Sequence, residues 1–508
     1  MKIAEEIAVS RVEKEAGNAE QTKAEQTLDP ERWEAFRALA HRMVDDMVDH
    51  TSGLREQPAW QQPPVDVKQA IRNEPLPMEG QSAEQVYDDY LKLVQPYTNG
   101  NRHPRAWGWV RGNGTPLAAM AEMLSASINA HLGGGEQSPT YVEERCLQWL
   151  AEVMEMPAGT TGILVSGGTM ANLLGLAVAR DARAGFDVRQ EGLAGHERLT
   201  VYASSETHMW ARKSMDVLGM GAEQLREIPV DDDFRVDVDR LRAQIREDRT
   251  AGMRPIAVIG NAGTVNSGAV DDLPALAALC REENLWLHVD GAFGALLKLS
   301  DRYASLVRGV ELADSLAFDL HKWMYLPFEI GCLLVADAAA HRAAFASTAS
   351  YLEGNKRGVL ATGLYFSDRG IELTRGFKAL KLWMSLKAHG LRAFAAQIEQ
   401  NMEQAQFLEE RAAQEPALEL LTPRTMNVVC FRYRGDGGRD EAFCNALNRE
   451  LVIRLQESGE FVVSGTELGG RYALRVANTN HRSRMQDFED LVQATLRIGR
   501  ELDGVMKV

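Results

Sequence analysis

The chain has 508 residues, 45% hydrophobic and 25% charged, with a formal net charge of −16 and a pI near 5.3. That length suits two or three structural units around a sizeable core, and the acidity argues against a nucleic-acid partner, which would call for a basic footprint. Five scattered cysteines (Cys146, Cys280, Cys332, Cys430 and Cys444), none in a C-x-x-C pair, indicate neither a zinc site nor a disulfide framework and fit a reducing cytosol.

Residues 1–26 are polar, expected to be mobile, and lack the apolar centre of a signal peptide. Asp29 can cap a first helix, with Pro30 and Glu31 suited to its opening turn. Trp33, Phe36, Ala40, Met43, Val44, Met47 and Val48 then recur at helical spacing. PAWQQPPVD breaks this pattern, AEQVYDDYLKLV resumes it, and TNGNRHPRAWGW breaks it again. Residues 1–100 therefore predict an N-terminal helical segment, with an apolar stripe that needs a surface to rest on.

Residues 101–378 predict a large α/β domain. ILVSGG, LTVYASSETH, PIAVIGNAGT, LWLHVDGAFG, SLAFDLHKW and GCLLVAD are candidate strands, some separated by helical stretches such as MANLLGLAVAR and LPALAALCREE. Continuously apolar strands alternating with helices imply a mostly parallel central sheet covered on both faces. Met156 to Ala179 is free of charge, but SGGT and Asn172 interrupt it, so a membrane span is not expected. Residues 379–508 predict a smaller α+β domain: a helix at GFKALKLWMSLKAHG, a strand at MNVVCFRY, a hairpin around FVVSGTELGGRYALRV and a closing amphipathic helix.

The polar residues gather after strands, where parallel sheets bind ligands. Taken singly, each has an ordinary explanation. Lys322 could reach solvent along its stem, Asp290 could cap an Asp-Gly turn, and His208 could be a hydrogen-bonded core histidine. Together they match what a coenzyme with a phosphate, a basic ring nitrogen and an aldehyde requires. Gly167, Gly168 and Thr169 open a helix and offer donors to a phosphate. Asp290 can hold a ring nitrogen protonated, Lys322 can bond an aldehyde as a Schiff base, and His208 is a flat partner for a ring face. A nucleotide-binding reading is weaker, because no G-x-G-x-x-G follows a strand and the glycines at 133–135 open no evident βαβ unit.

HPRAWGW, SGGTMANL, the histidine of SSETHMW, NAGTVNSGAVDDL, HVDGAFGA, DLHKW and LTRGFKALKLW occur in the order found in the pyridoxal-phosphate-dependent group II amino-acid decarboxylases, the family of aromatic-L-amino-acid and glutamate decarboxylases. The chain resembles that family over about residues 28–500. The resemblance implies the type I (aspartate aminotransferase-like) fold and a homodimer with shared active sites, in which N-terminal helices embrace the partner. It implies pyridoxal 5′-phosphate as cofactor and decarboxylation of an L-amino acid to an amine. Carried over by motif, it makes Lys322 the cofactor-anchoring lysine, Asp290 the ring-nitrogen partner and His208 the stacked histidine, with Ala292 on the opposite ring face. Gly168, Thr169, Thr264 and His321 would surround the phosphate.

Family members deliver a proton from a loop tyrosine, here expected as Tyr365. The spacing to Arg375 also allows Phe366 into that register, and phenylalanine there is associated with aldehyde formation. Trp107 and Trp109 stand where relatives line the substrate pocket, which favours aromatic or hydrophobic substrates. Arg111 could instead pair an acidic substrate. Aldehyde synthase, aminotransferase and lyase chemistry on the same scaffold are the alternatives. Asp319 stands where many relatives have asparagine near the phosphate, and its extra negative charge there is expected to be unfavourable unless it turns away to a backbone donor.

Overall fold

The computed structural model describes residues 26–346, 357–359, 361 and 363–506. The expected mobile leader up to residue 25 lies outside the described residues, as do positions 347–356, 360 and 362 of the loop expected to carry the proton donor. The chain divides into two units, Met1–Thr51 and Ser52–Val508. In the first, the helix begins at Trp33 and runs to Ser52, so Pro30 precedes it instead of opening it; Trp33, Phe36 and Val48 of the expected stripe are exposed.

The second unit is built on a seven-stranded sheet in the order β1-β7-β6-β5-β4-β2-β3. Its strands are β1 (Thr161–Val165), β2 (Leu199–Ser204), β3 (Leu225–Ile228), β4 (Arg254–Asn261), β5 (Trp286–Asp290), β6 (Ser315–Asp319) and β7 (Gly331–Val335). All neighbours are parallel except β7, which runs antiparallel to both β1 and β6. Central strands such as β5 and β6 are buried at every residue, which is why they read as unbroken apolar runs. Strand β3 was not expected from the sequence: it is a sheet edge, LREI, half of it polar and only Ile228 buried.

Helix Gly168–Arg183 crosses the sheet and buries Leu174, Leu176, Val178 and Ala179 against it. The C-terminal part carries a four-stranded antiparallel sheet, ordered β10-β11-β9-β8, from β8 (Leu418–Leu420), β9 (Val428–Tyr433), β10 (Ser464–Leu468) and β11 (Arg471–Ala477). Helices Glu441–Glu457 and Met485–Val505 close a second core over it around Leu447, Leu451, Phe488 and Leu491. Among the described residues no helix is long and apolar enough to cross a membrane.

Candidate active site

Five strands, β1, β2, β4, β5 and β6, end at one rim, and their exit turns enclose a cavity of about 440 Å³. Lys322 enters it from the connection between β6 and β7, Asp290 from the end of β5, and Thr264 from the turn after β4. His208 comes from the turn after β2, Gly167, Gly168 and Thr169 from the turn after β1, and Ala292 and His321 complete the wall.

Each group is held by identifiable partners. Asp290 is buried; its Oδ2 accepts a hydrogen bond from the Trp210 indole Nε1 at 2.5 Å and its Oδ1 accepts the Ala292 amide at 3.0 Å. Trp210 is fixed in turn by edge-on contact with His288, whose ring nitrogens lie 2.8 Å from Ser315 Oγ and 2.7 Å from Asn172 Oδ1. His321 Nδ1 accepts the Ile330 amide at 3.1 Å, leaving Nε2 toward Asp319 Oδ1 at 3.7 Å. Burial lowers the pKa of both His208 and His321 below the ordinary histidine value, so both are neutral at pH 7. Lys322 Nζ lies 2.8 Å from Asp319 Oδ2, so that carboxylate pairs with the lysine instead of the backbone donor expected for it. The Thr264 hydroxyl is 3.0 Å from Ser267 Oγ and accepts the Ala269 amide, tightening the turn it sits in.

The glycines at the mouth of helix Gly168–Arg183 are required by close approach. A Cβ on Gly168 would lie 2.7 Å from Asp319 Oδ2, and one on Gly331 would lie 2.7 Å from the Gly167 Cα. The bare backbone leaves amide donors and the positive helix end facing the cavity. Amine, carboxylate, flat neutral imidazole and helix N-terminus therefore share one chamber, the set that a phosphorylated aldehyde-bearing pyridine needs.

Residues 64–434 match the family model described as the pyridoxal-dependent decarboxylase conserved domain. The chain belongs to that family. It is similar to an aromatic-L-amino-acid decarboxylase of Bacillus atrophaeus, 32% identical over 92% of this chain and 95% of that protein. It is also similar to a phenylacetaldehyde synthase of Arabidopsis thaliana, 29% identical over 89% of this chain and 93% of that one. A solved structure of Oryza sativa TDC with PLP and tryptamine is 25% identical, with a TM-score of 0.86 over 94% of this chain and all of that one. This decarboxylase is accordingly a pyridoxal-phosphate-dependent carboxy-lyase with the type I fold.

The predicted residues do not all meet in the cavity. Trp107 is a correction: it is wholly buried, stacks on Phe488 at 4.6 Å between ring centroids, and donates its indole N–H to Ser483 Oγ. Its ring packs the C-terminal core because residues 105–108 pair with Val462 there. Trp109, two residues on, does line the cavity and stays half exposed, with the Arg111 guanidinium stacked on its ring at 4.4 Å. Tyr365 lies outside the cavity wall, its ring against Gly134. Phe366 is fully buried with the guanidinium carbons of Arg369 and Arg375 over its ring at 5.4 and 5.1 Å. Trp323 is core, donating to Asn401 Oδ1.

Trp210 and Arg475 of the site were not expected from the sequence. Trp210 follows the singled-out His208 by two positions, and that proximity was the one signal available. Arg475 sits in the middle of β11 yet lines the cavity while almost wholly buried. Its Nε donates to Asn266 O at 3.3 Å and its Nη1 to Ser464 Oγ at 3.5 Å, while Nη2 has no partner. Burial pulls its pKa down to about 10.

Proposed function

We propose that this decarboxylase converts an aromatic or otherwise hydrophobic L-amino acid to the corresponding amine and CO2. The observation that carries the reading is the shared cavity lined by the Lys322 amine, the Asp290 carboxylate and the almost wholly buried Arg475 side chain. Bound pyridoxal phosphate supplies the electron sink for the pair released when the Cα–carboxylate bond breaks.

The chain's residues divide the remaining work. Lys322 would hold the cofactor at its aldehyde carbon. Gly168, Thr169, Thr264 and His321 would receive its phosphate at the positive helix end. Asp290, kept in place by Trp210 and Ala292, puts a fixed negative charge where a protonated ring nitrogen gains from it. His208 and Ala292 bound the slot for the ring. The Arg475 guanidinium is a buried cation with an unused donor, suited to orient a substrate carboxylate. Trp109 offers an apolar face at the mouth, and Arg111 is occupied with that ring, which favours hydrophobic over acidic side chains. The aromatic-L-amino-acid decarboxylase relative supports the same preference.

For proton delivery to Cα we assign Tyr365, since Phe366 is locked in the core and carries no exchangeable proton. The reading includes a homodimer in which this loop serves the partner's site, and a cytosolic location consistent with five buried free cysteines. A second reading, aldehyde formation, has the phenylacetaldehyde synthase relative behind it. An amino-acid panel assayed together for CO2, amine, aldehyde, ammonia and peroxide decides between them. Equal yields of amine and CO2 from aromatic substrates are expected; ammonia with peroxide, a keto acid, or preference for acidic substrates would overturn the reading. Lys322→Ala should lose the cofactor adduct that borohydride traps in the wild-type chain.

A further inference from the structure

The connection from β6 to β7 holds a second charged group whose position bears on the lysine. Asp319 is the last residue of β6, its amide donating to Ala292 O, and its side chain is 2% exposed. Oδ2 takes the Lys322 ammonium at 2.8 Å, while the buried Oδ1 has no hydrogen-bond partner. The carboxylate is also wedged against the glycines of the helix mouth, since a Cβ on Gly168 or Gly331 would lie 2.7 or 2.9 Å from one of its oxygens.

His321, the other nearby base, is neutral at pH 7 because of its burial, so it cannot replace Lys322 as the counter-cation. A carboxylate buried to this extent loses its hydration and depends on that partner. An ammonium held by a carboxylate is not a nucleophile, so the ion pair must open and the nitrogen lose a proton before it can bond a carbonyl carbon.

On the reading that Lys322 anchors pyridoxal phosphate, we propose that Asp319 is a built-in competitor for the lysine amine. It takes the amine back whenever the cofactor's aldehyde carbon is released, and so weakens cofactor retention. Asp319 is thus a positioning residue: it acts through Lys322 and sets how readily the anchor lets go. The ion pair must break each time the lysine attaches, and it re-forms each time substrate displaces the lysine.

The test compares Asp319→Asn, which keeps shape and removes charge, with the wild-type chain. Cofactor loss from the loaded full-length protein is followed during dialysis. Reloading is then titrated with pyridoxal phosphate and with pyridoxal, which has the same ring and aldehyde but no phosphate, using the borohydride-trapped fraction as readout. The variant should hold both aldehydes about tenfold more tightly, the effect of removing one partly solvated charge pair. Asp319→Ser should shift retention in the same direction. Unchanged or weaker retention in the variants would overturn the proposal. So would a gain confined to pyridoxal phosphate, because repulsion of the phosphate would then suffice. Absence of any trapped adduct in the wild-type chain would instead overturn the assignment of Lys322 itself.

Discussion

Replacing Arg475 with methionine should strengthen the fold and weaken substrate binding together. The guanidinium is almost wholly buried, contacts Asn266 O and Ser464 Oγ at 3.3 and 3.5 Å, and among the described residues its charge is met by no carboxylate. Its pKa falls from 12.5 to about 10 through burial, and a fall of that size corresponds to about 3 kcal/mol held against the charged form. Methionine keeps most of the stem volume and removes the charge, so unfolding in urea should cost about 1–3 kcal/mol more than in the wild-type chain. Substrate binding should move the other way. Losing one partner of a buried charge pair costs about 2 kcal/mol or more, which raises KM by about 30-fold or more. Urea titration of both proteins and steady-state kinetics read the two effects separately. A variant less stable than wild type with an unchanged KM would refute the reasoning at both steps.

Gly168→Ala should lower cofactor affinity by about tenfold, because the new methyl would sit 2.7 Å from Asp319 Oδ2 and overpacking of that kind costs about 1–3 kcal/mol; equilibrium titration with pyridoxal phosphate checks it, and wild-type affinity would count against the cradle. Stability should fall as pH drops below about 6.5. Burial holds His288 and His481 near 3 and His341 near 4, so between those values and 6.5 the unfolded chain binds more protons than the folded one. At pH 5 each contributes up to about 2 kcal/mol of loss, and equal urea midpoints at pH 7 and pH 5 would contradict this. Tyr365→Phe should divert product from amine toward aldehyde and ammonia, whereas Phe366→Leu should keep the product and cost about 1 kcal/mol of stability; product analysis and thermal melts distinguish the two positions.

The parallel core was legible because its strands are buried on both faces and read as apolar runs, and the strand-end polar residues stood out against them. Lys322, Asp290 and His208 were visible for that reason, and the structure does bring them to one cavity. Strand β3 was not, since an edge strand with one buried residue leaves no pattern. Arg475 was hidden differently: it alternates within RYALRVA as an outward polar residue of a hairpin would, and only the packing of β11 against the 264–267 turn buries it. Trp107 misled because two tryptophans two residues apart look equivalent in sequence. The left-handed backbone at Trp109 (φ 59°) helps send the two rings to different places.

The antiparallel insertion of β7 has a consequence for how the molecule comes into being. In the sheet order, β1 lies at an edge and its one strand neighbour is β7, so residues 161–165 wait for residues 331–335 before they can join the sheet. The parallel run β2-β4-β5-β6 needs no such late arrival. As the chain emerges from the ribosome, the walls that present Asp290 and His208 can assemble first. The glycine turn after β1 and the lysine connection before β7 are then drawn together in one late closure. Chains interrupted before residue 331 would therefore hold most of the sheet but neither a seated helix mouth nor a positioned lysine. Competence to take up the cofactor marks completion of the sheet.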